Sequence, residues 1–293
     1  TLRQTKSIVA LGTFDGVHLG HQQLLQHTVD LAAKHQLTSV AFTFDQPPEQ
    51  FFTKQQRLLT DFPTKQQLLL SYGMDCVAWV NFDQEFAKIQ AEDFITDILL
   101  NELNAAGVVC GYNYRFGHHA TGNVQLLQEV GTKHGLLVKV VPPYLLDEQP
   151  VSSTRIRQAL TAGDVYLVAR LLGRYHSYHG KVTTDKRLGR DLGFPTANIH
   201  VNREIVVPRA GAYFTWCFLE DGSNYPAMSS VSTDHLIESY LIGFSGNLYN
   251  QHLRVVFLQH LREWQHFHSL ADLRAQLRVD YQKAISCVNK YRL

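Results

Sequence analysis

The chain has 293 residues, with 27 basic and 26 acidic side chains. That length exceeds a typical single core and predicts two domains. The near-zero net charge excludes the electrostatic footprint needed to wrap nucleic acid or lie on an anionic membrane, and leaves room for a small anion held locally.

Cys76, Cys110, Cys217 and Cys287 are far apart and form no CxxC pair, so they read as reduced core thiols of a cytoplasmic protein. No apolar run approaches the roughly 20 residues that span a bilayer. The opening "TLRQTKS" is too short and polar for a signal peptide. Nothing here bears on self-association, so a homo-oligomer stays open.

The first half alternates short apolar runs with helical patterns. "SIVALGTF" precedes a helix through "HQQLLQHTVDLAAKH", then come "TSVAFTF", "DCVAWVNF", "AEDFITDILLNEL", "AGVVCGY", "NVQLLQEVGTKHG" and "LLVKVVPPY". Near-continuous apolar strands separated by helices predict βαβ units and a Rossmann-like parallel sheet covered on both faces. Ligands of such sheets bind beyond the carboxyl ends of the strands. Two more helices are predicted around 154–162 and 164–173, with Gly163 as stop and Asp164 as cap, and the domain boundary is placed after them, giving 1–172 and 173–293.

From about 175 the runs become short, β-branched and aromatic: "YHSYHGKVTT", "TANIHV", "GAYFTWCFLE", "LIESYLIGF" and "HLRVVFLQHL". Turn signals separate them, which predicts an antiparallel barrel or sandwich. In the tail, Leu270, Leu273, Leu277, Tyr281 and Ile285 recur at helical spacing, so a closing helix is expected to pack on the barrel.

"GTFDGVHLGH" sits where the first strand turns into its helix. His18 and His21 can share one face of the first helical turn. Free N–H groups and the helix dipole there favour an anion, and two imidazoles can add donors to phosphate oxygens. Gly12 and Gly16 let the backbone bend and approach a ligand. A metal reading needs a further ligand; none is evident, since His118 and His119 form an isolated pair in a loop. Surface or capping histidines are the remaining reading of a bare HxxH.

"LGTFDGVHLGH" resembles the signature of the bacterial bifunctional riboflavin kinase/FMN adenylyltransferases, or FAD synthetases, whose amino-terminal half is an HxGH nucleotidyltransferase. "VVCGYNYRFGHHATGN" (108–123) is similar to that family's FG loop, and "VSSTRIRQAL" (151–160) to its Ser-Ser-Thr-x-x-Arg segment. The resemblance implies transfer of AMP from ATP to FMN. It assigns His18 and His21 to the ATP phosphates and the transition state, with Gly12, Phe14, Asp15 and Gly16 shaping the pocket. It also implies binding roles for Asn113, Phe116 and Gly117 of the FG loop, and closure on the phosphates by Ser152, Ser153, Thr154 and Arg157. The family's "TFxPHP" is here "TFDQPP", with Gln46 for proline and Pro47 for histidine, and Asn113 replaces the usual Asp.

"GRDLGFPTANI" (189–199) is similar to the riboflavin kinase signature. In an extended chain Thr196 and Asn198 point to one side, and two neutral oxygen ligands suit Mg²⁺. The resemblance adds Gly189, Arg190 and Gly193 to the nucleotide site and makes Glu238, in "LIESYLIGF", the general base for riboflavin's 5′-hydroxyl. Two departures stand in this half: Asp185 occupies a usual glycine position, and "SSVSTD" (229–234) replaces a longer "NIGxxPTF" segment. The implied activity is FAD synthesis, with riboflavin phosphorylation in the second half. The alternatives are an FAD synthetase with a degenerate kinase domain, and a non-catalytic flavin-binding regulator.

Overall fold

The computed structural model describes residues 5–53, 57–184 and 193–291. By contact the chain divides into two compact units, Thr1–Ser153 and Thr154–Leu293.

In the first unit, β1 (Ser7–Leu11), β2 (Thr38–Phe44), β3 (Cys76–Val80), β4 (Ala105–Gly111) and β5 (Leu137–Val141) form one sheet in the order β3-β2-β1-β4-β5. All four pairings are parallel. Successive side chains of a strand point to opposite faces, and β1 divides accordingly. Val9 and Leu11 join a core with Phe42, Phe94, Ile95, Leu99 and Leu127. Ile8 and Ala10 join the opposite core with Leu24, Leu25 and Leu69. Burial on both faces is why these strands carry no polar alternation.

The helices that supply those faces include α1 (Leu19–His35), α3 (Phe62–Ser71) and α5 (Val124–Lys133). α2 (Pro48–Thr53) and α3 have no counterpart in the sequence reading; the polar run "FPTKQQLLLS" hides α3, whose buried contacts reduce to Lys65 and Leu69. The predicted helix through "AEDFITDILLNEL" is α4 (Ala91–Asp93) followed by a π-helical stretch, Phe94–Glu102. A small hairpin, β6 (Leu145–Leu146) with β7 (Gln149–Pro150), turns through Asp147 and Glu148, both at positive φ.

In the second unit, α6 (Ser153–Ala162, beginning one residue before the division) is stopped by Gly163 at φ 79°. Asp164 caps α7 (Val165–Leu172), accepting from the Leu167 N–H at 2.9 Å. The Arg209 N–H donates to Leu160 O at 3.0 Å, tying α6 to the barrel.

That barrel closes through β8 (Ser177–Thr183), β9 (Ala197–His200), β10 (Gly211–Leu219), β11 (Asn224–Val231), β12 (Leu236–Leu241) and β13 (His252–Glu263) in the order β10-β11-β12-β9-β8-β13. Inside it Thr215, Ser229 and Ser239 form a chain of buried hydroxyls at 2.7 Å. Neutral groups that satisfy one another this way cost little to bury. β11 was not anticipated. Ser229–Val231 of "SSVSTD" belong to this strand, and only the four residues 232–235 connect it to β12.

The closing helix, α8 (Leu270–Val288), packs against β10, β11 and β13, but not on the predicted stripe throughout. Leu270 and Ile285 are exposed, while Asp280, Ala284 and Cys287 are buried. Asp280 takes an inward position because it accepts from the Arg262 Nε at 3.1 and 2.9 Å and pairs with its Nη2 at 2.8 Å. A buried carboxylate needs a partner of this kind. Cys110, Cys217 and Cys287 are buried, Cys76 is half-buried, and all are free thiols.

Candidate active sites

Strand order reverses at β1, so the crevice of the sheet opens between the carboxyl ends of β1 and β4. The segment that leaves β1 there is Gly12–His18, and the one that leaves β4 is the FG loop.

Gly12–His18 is a strained turn. Phe14, Gly16 and Val17 have φ of 50°, 79° and 41°, and a left-handed conformation costs a non-glycine residue roughly 1–2 kcal/mol. Glycine at position 16 is required twice over, since a Cβ there would meet Leu59 Cδ1 at 2.7 Å. The Phe14 ring is fully buried and lies edge-on to His21 at 5.3 Å. Asp15 is buried too, and its Oδ1 accepts from the Leu59 and Thr60 N–H groups at 2.9 and 3.3 Å. Phe14 and Asp15 therefore hold the turn from behind.

His18 is the N-cap of α1, its Nδ1 accepting from the His21 N–H at 3.3 Å. The two rings stack at 3.6 Å with 14° between planes. Capping and anion binding are compatible here: an Nδ1 that accepts places the proton of the neutral ring on Nε2. The pair stands at the first turn of a 17-residue helix, where N–H groups and the dipole attract negative charge.

Ser153 Oγ donates to Asp15 O at 2.9 Å, which brings the start of the Ser-Ser-Thr segment onto the signature turn. Ser152 is half-buried; Thr154, exposed, and Arg157, half-buried, follow along α6.

In the FG loop Asn113 is exposed, whereas Phe116 is only 7% exposed. Phe116 packs on Tyr114 and Phe94 and pairs with Gly122 through two backbone hydrogen bonds of 3.2 and 2.9 Å. Its ring braces the loop. Gly117 has φ 73°, and a Cβ would approach Ala91 Cα at 2.6 Å.

Two features escaped the sequence reading. One is an aromatic group beside the end of β2, in which Phe82 lies edge-on to Phe44, Phe51 and Phe52 at 5.4–5.7 Å and Phe52 is 67% exposed. The recurrent phenylalanines of "AFTF", "EQFF" and "VNFDQEF" were its only sequence signal. The other is Lys65, 3% exposed, which donates from Nζ to Thr13 O at 3.2 Å and Phe44 O at 2.6 Å. Burial lowers its pKa to about 8, against the opposing pull of Asp15 and Asp45.

In the second unit a cavity of about 660 Å³ is lined by Thr196, Asn198, Ser232, Glu238, Tyr240 and Tyr249, among others. Antiparallel register sets Glu238 opposite Asn198 on one side and Ser230 on the other, and Ser230 Oγ donates to Glu238 Oε2 at 3.2 Å. Thr183 Oγ1 donates to Asn198 O at 3.3 Å. Asn198 is 6% exposed, and its Oδ1 is buried without a hydrogen-bond partner among the described residues. Such an acceptor calls for a ligand or ion, and with the Thr196 hydroxyl it gives an all-oxygen donor pair that fits Mg²⁺. Gly193 is exposed at φ 84°. Gly189, Arg190 and Asp185 lie outside the described residues.

The sequence profile described as FAD synthetase matches residues 1–155, and that described as riboflavin kinase matches 172–288. The chain belongs to the bifunctional riboflavin kinase/FMN adenylyltransferase family. Bifunctional riboflavin kinase/FMN adenylyltransferases similar to it include that of Buchnera aphidicola from Acyrthosiphon pisum, 32% identical over 98% of this chain and 94% of the relative. That of Escherichia coli K12 is 33% identical over 94% of this chain and 91% of its own. Among solved structures, the crystal structure of a macrolide-efflux protein from Streptococcus pneumoniae superposes with a TM-score of 0.87 at 27% identity, covering 98% of this chain and 95% of the other. Efflux belongs to that protein's name; among the described residues here no helix is long and apolar enough to cross a membrane.

In this riboflavin kinase/FMN adenylyltransferase family member His18, His21, Asn113 and Ser153 fall in the first compact unit, and Thr154, Arg157, Thr196, Asn198 and Glu238 in the second.

Proposed function

We propose that this protein makes FMN from riboflavin and ATP and FAD from FMN and ATP, with residues 173–293 carrying the kinase and residues 1–172 the adenylyltransferase. What carries the reading is the match of nearly the whole chain, both halves in order, to relatives that bear both activities in their names.

In adenylyl transfer an FMN phosphate oxygen attacks the α-phosphorus of ATP. A new P–O bond forms, the Pα–O–Pβ bond breaks, and pyrophosphate leaves. The protein's contribution is positioning and charge stabilisation. His18 and His21 donate to phosphate oxygens at the helix terminus, within the pocket shaped by Gly12, Phe14, Asp15 and Gly16. Ser152, Ser153, Thr154 and Arg157 close on the phosphates, and Asn113, Phe116 and Gly117 shape the neighbouring wall. The phenylalanine group at the end of β2 offers edge and face contacts of the kind that bind a flavin ring.

In the kinase half Glu238 takes the proton of riboflavin's 5′-hydroxyl as that oxygen attacks the γ-phosphorus of ATP, and ADP leaves. Thr196 and Asn198 would hold Mg²⁺, which would supply charge neutralisation of the phosphates when bound. Gly189, Arg190 and Gly193 contribute to the nucleotide site.

Incubation of the full chain with Mg-ATP and riboflavin, or Mg-ATP and FMN, with chromatographic separation of products, tests this. FMN in the first case and FAD in the second are expected. One observation favours a second reading: the four-residue connection between β11 and β12 leaves Ser232 and Asp234 as the rim of the cavity on that side. FAD from FMN without FMN from riboflavin supports a transferase whose kinase half has weakened. No product from either, with flavin bound, supports the regulator and ends the enzyme reading.

A further inference from the structure

The signature turn is held by more than its own hydrogen bond from the Val17 N–H to Phe14 O at 3.1 Å. Phe14 and Val17, both non-glycine, sit in the left-handed region within four residues of each other. A strained backbone of this sort persists only where its surroundings over-determine it. Several of its restraints come from one distant segment, residues 59–65. The Leu59 and Thr60 N–H groups donate to Asp15 Oδ1. Thr60 Oγ1 accepts from the Gly16 N–H at 3.3 Å. Leu59 fills the space beside Gly16. Lys65 Nζ donates to Thr13 O on one strand exit and to Phe44 O on the next.

Of these contacts the Lys65 pair is the most telling. The ammonium is taken out of water and points at carbonyls, not at a carboxylate within hydrogen-bond distance. Burying a lysine this deeply is costly, and both hydrogen bonds of its Nζ go to carbonyls outside helix α3. Its two bonds clamp the carboxyl ends of β1 and β2 at the place where the crevice opens, with Thr43 Oγ1 adding a third donor to Thr13 O at 3.1 Å.

Resting on the adenylyltransferase reading above, we infer that Lys65, assisted by Thr60, is a positioning residue of the transferase. It fixes the Gly12–His18 backbone so that the helix terminus and both imidazoles meet the ATP phosphates in one geometry. It touches neither substrate. Its effect falls on the chemical step, because a displaced donor array stabilises the transition state less even when ATP still binds.

The test compares Lys65→Met, which keeps the stem and removes the donors, with Leu69→Ala, which opens the core shared with Phe14 and Val17 one helical turn away but leaves the hydrogen-bond donors to the signature turn in place. In Lys65→Met, kcat for FAD formation is expected to fall about a hundredfold, while FMN formation by the same molecules stays within about twofold. Backbone amides of residues 12–18 are expected to exchange faster with deuterium. Leu69→Ala is expected to lower thermal stability with kcat for FAD formation kept within about twofold. Should Lys65→Met fail to fold, Thr60→Val removes the Gly16 acceptor at constant size and is expected to move kcat and exchange in the same directions. An unchanged kcat in Lys65→Met, unchanged exchange of the turn, or an equal loss of kcat in Leu69→Ala would overturn the inference. If the wild-type chain makes no FAD, the transferase reading fails instead, and the exchange of residues 12–18 still decides whether Lys65 holds the turn.

Discussion

Asn198 on β9 stands directly opposite Glu238 on β12, and both line the same cavity. The register brings together a carboxylate and a buried amide oxygen that has no hydrogen-bond partner among the described residues, separated by 40 positions in the chain. On the proposed kinase reading the amide oxygen would hold the metal and the carboxylate accept the proton, two roles that phosphoryl transfer to a hydroxyl uses.

Glu238→Ala is therefore expected to lower FMN formation by about 10²–10⁴-fold, the range for loss of a general base. FAD formation from supplied FMN is expected to be unchanged. Steady-state rates with each flavin measured separately decide this; equal loss of both activities in a folded variant would show that the two sites are not independent.

His21→Ala is expected to have the reverse pattern. Removing one donor to transition-state phosphate charge costs about 10²–10³-fold in kcat, here in FAD formation, with riboflavin phosphorylation retained. The same substitution leaves the His18 cap on the backbone N–H of residue 21 in place, so thermal unfolding of the first unit should shift little.

His176 predicts loss of stability in mild acid. Its side chain is buried, Nε2 has no hydrogen-bond partner among the described residues, and burial first, then Arg174 and His179, lower its pKa from 6.5 to about 3. The unfolded chain binds the proton from pH 6.5 downward and the folded chain does not, so stability is full above 6.5 and is lost as pH falls toward 3. His176→Phe is expected to flatten that part of the profile. Denaturant midpoints of wild type and variant between pH 7 and 4 check it, and parallel curves would exclude His176 as the source.

The transferase framework was legible in the sequence because it depends on local rules. Unbroken apolar runs at strand length, helices between them, and a glycine-bounded turn before a helix are written within windows of 10–20 residues. The same holds for Gly163 and Asp164 at the junction of α6 and α7, where stop and cap are adjacent residues. The histidine pair could be placed at a helix start, and the structure puts it there.

Relationships across distance were not legible. Lys65 and Thr60 act on a turn more than 40 residues earlier, through backbone atoms whose identity leaves no mark in sequence. α3 was missed because its inward face includes a lysine, and the outer turns of α8 were misplaced because Asp280 is drawn inward by Arg262 on β13. β11 escaped because its inward hydroxyls look like a loop until Thr215 and Ser239 are seen to satisfy Ser229. By itself the sequence determined most of the strands and helices and the strand-to-helix turn where the candidate anion site lies, since propensity and periodicity act along the chain. Only the tertiary structure decided what braces that site, and which oxygen faces which carboxylate across the barrel, since strand register and the pairing of buried polar groups are settled between segments far apart in the chain.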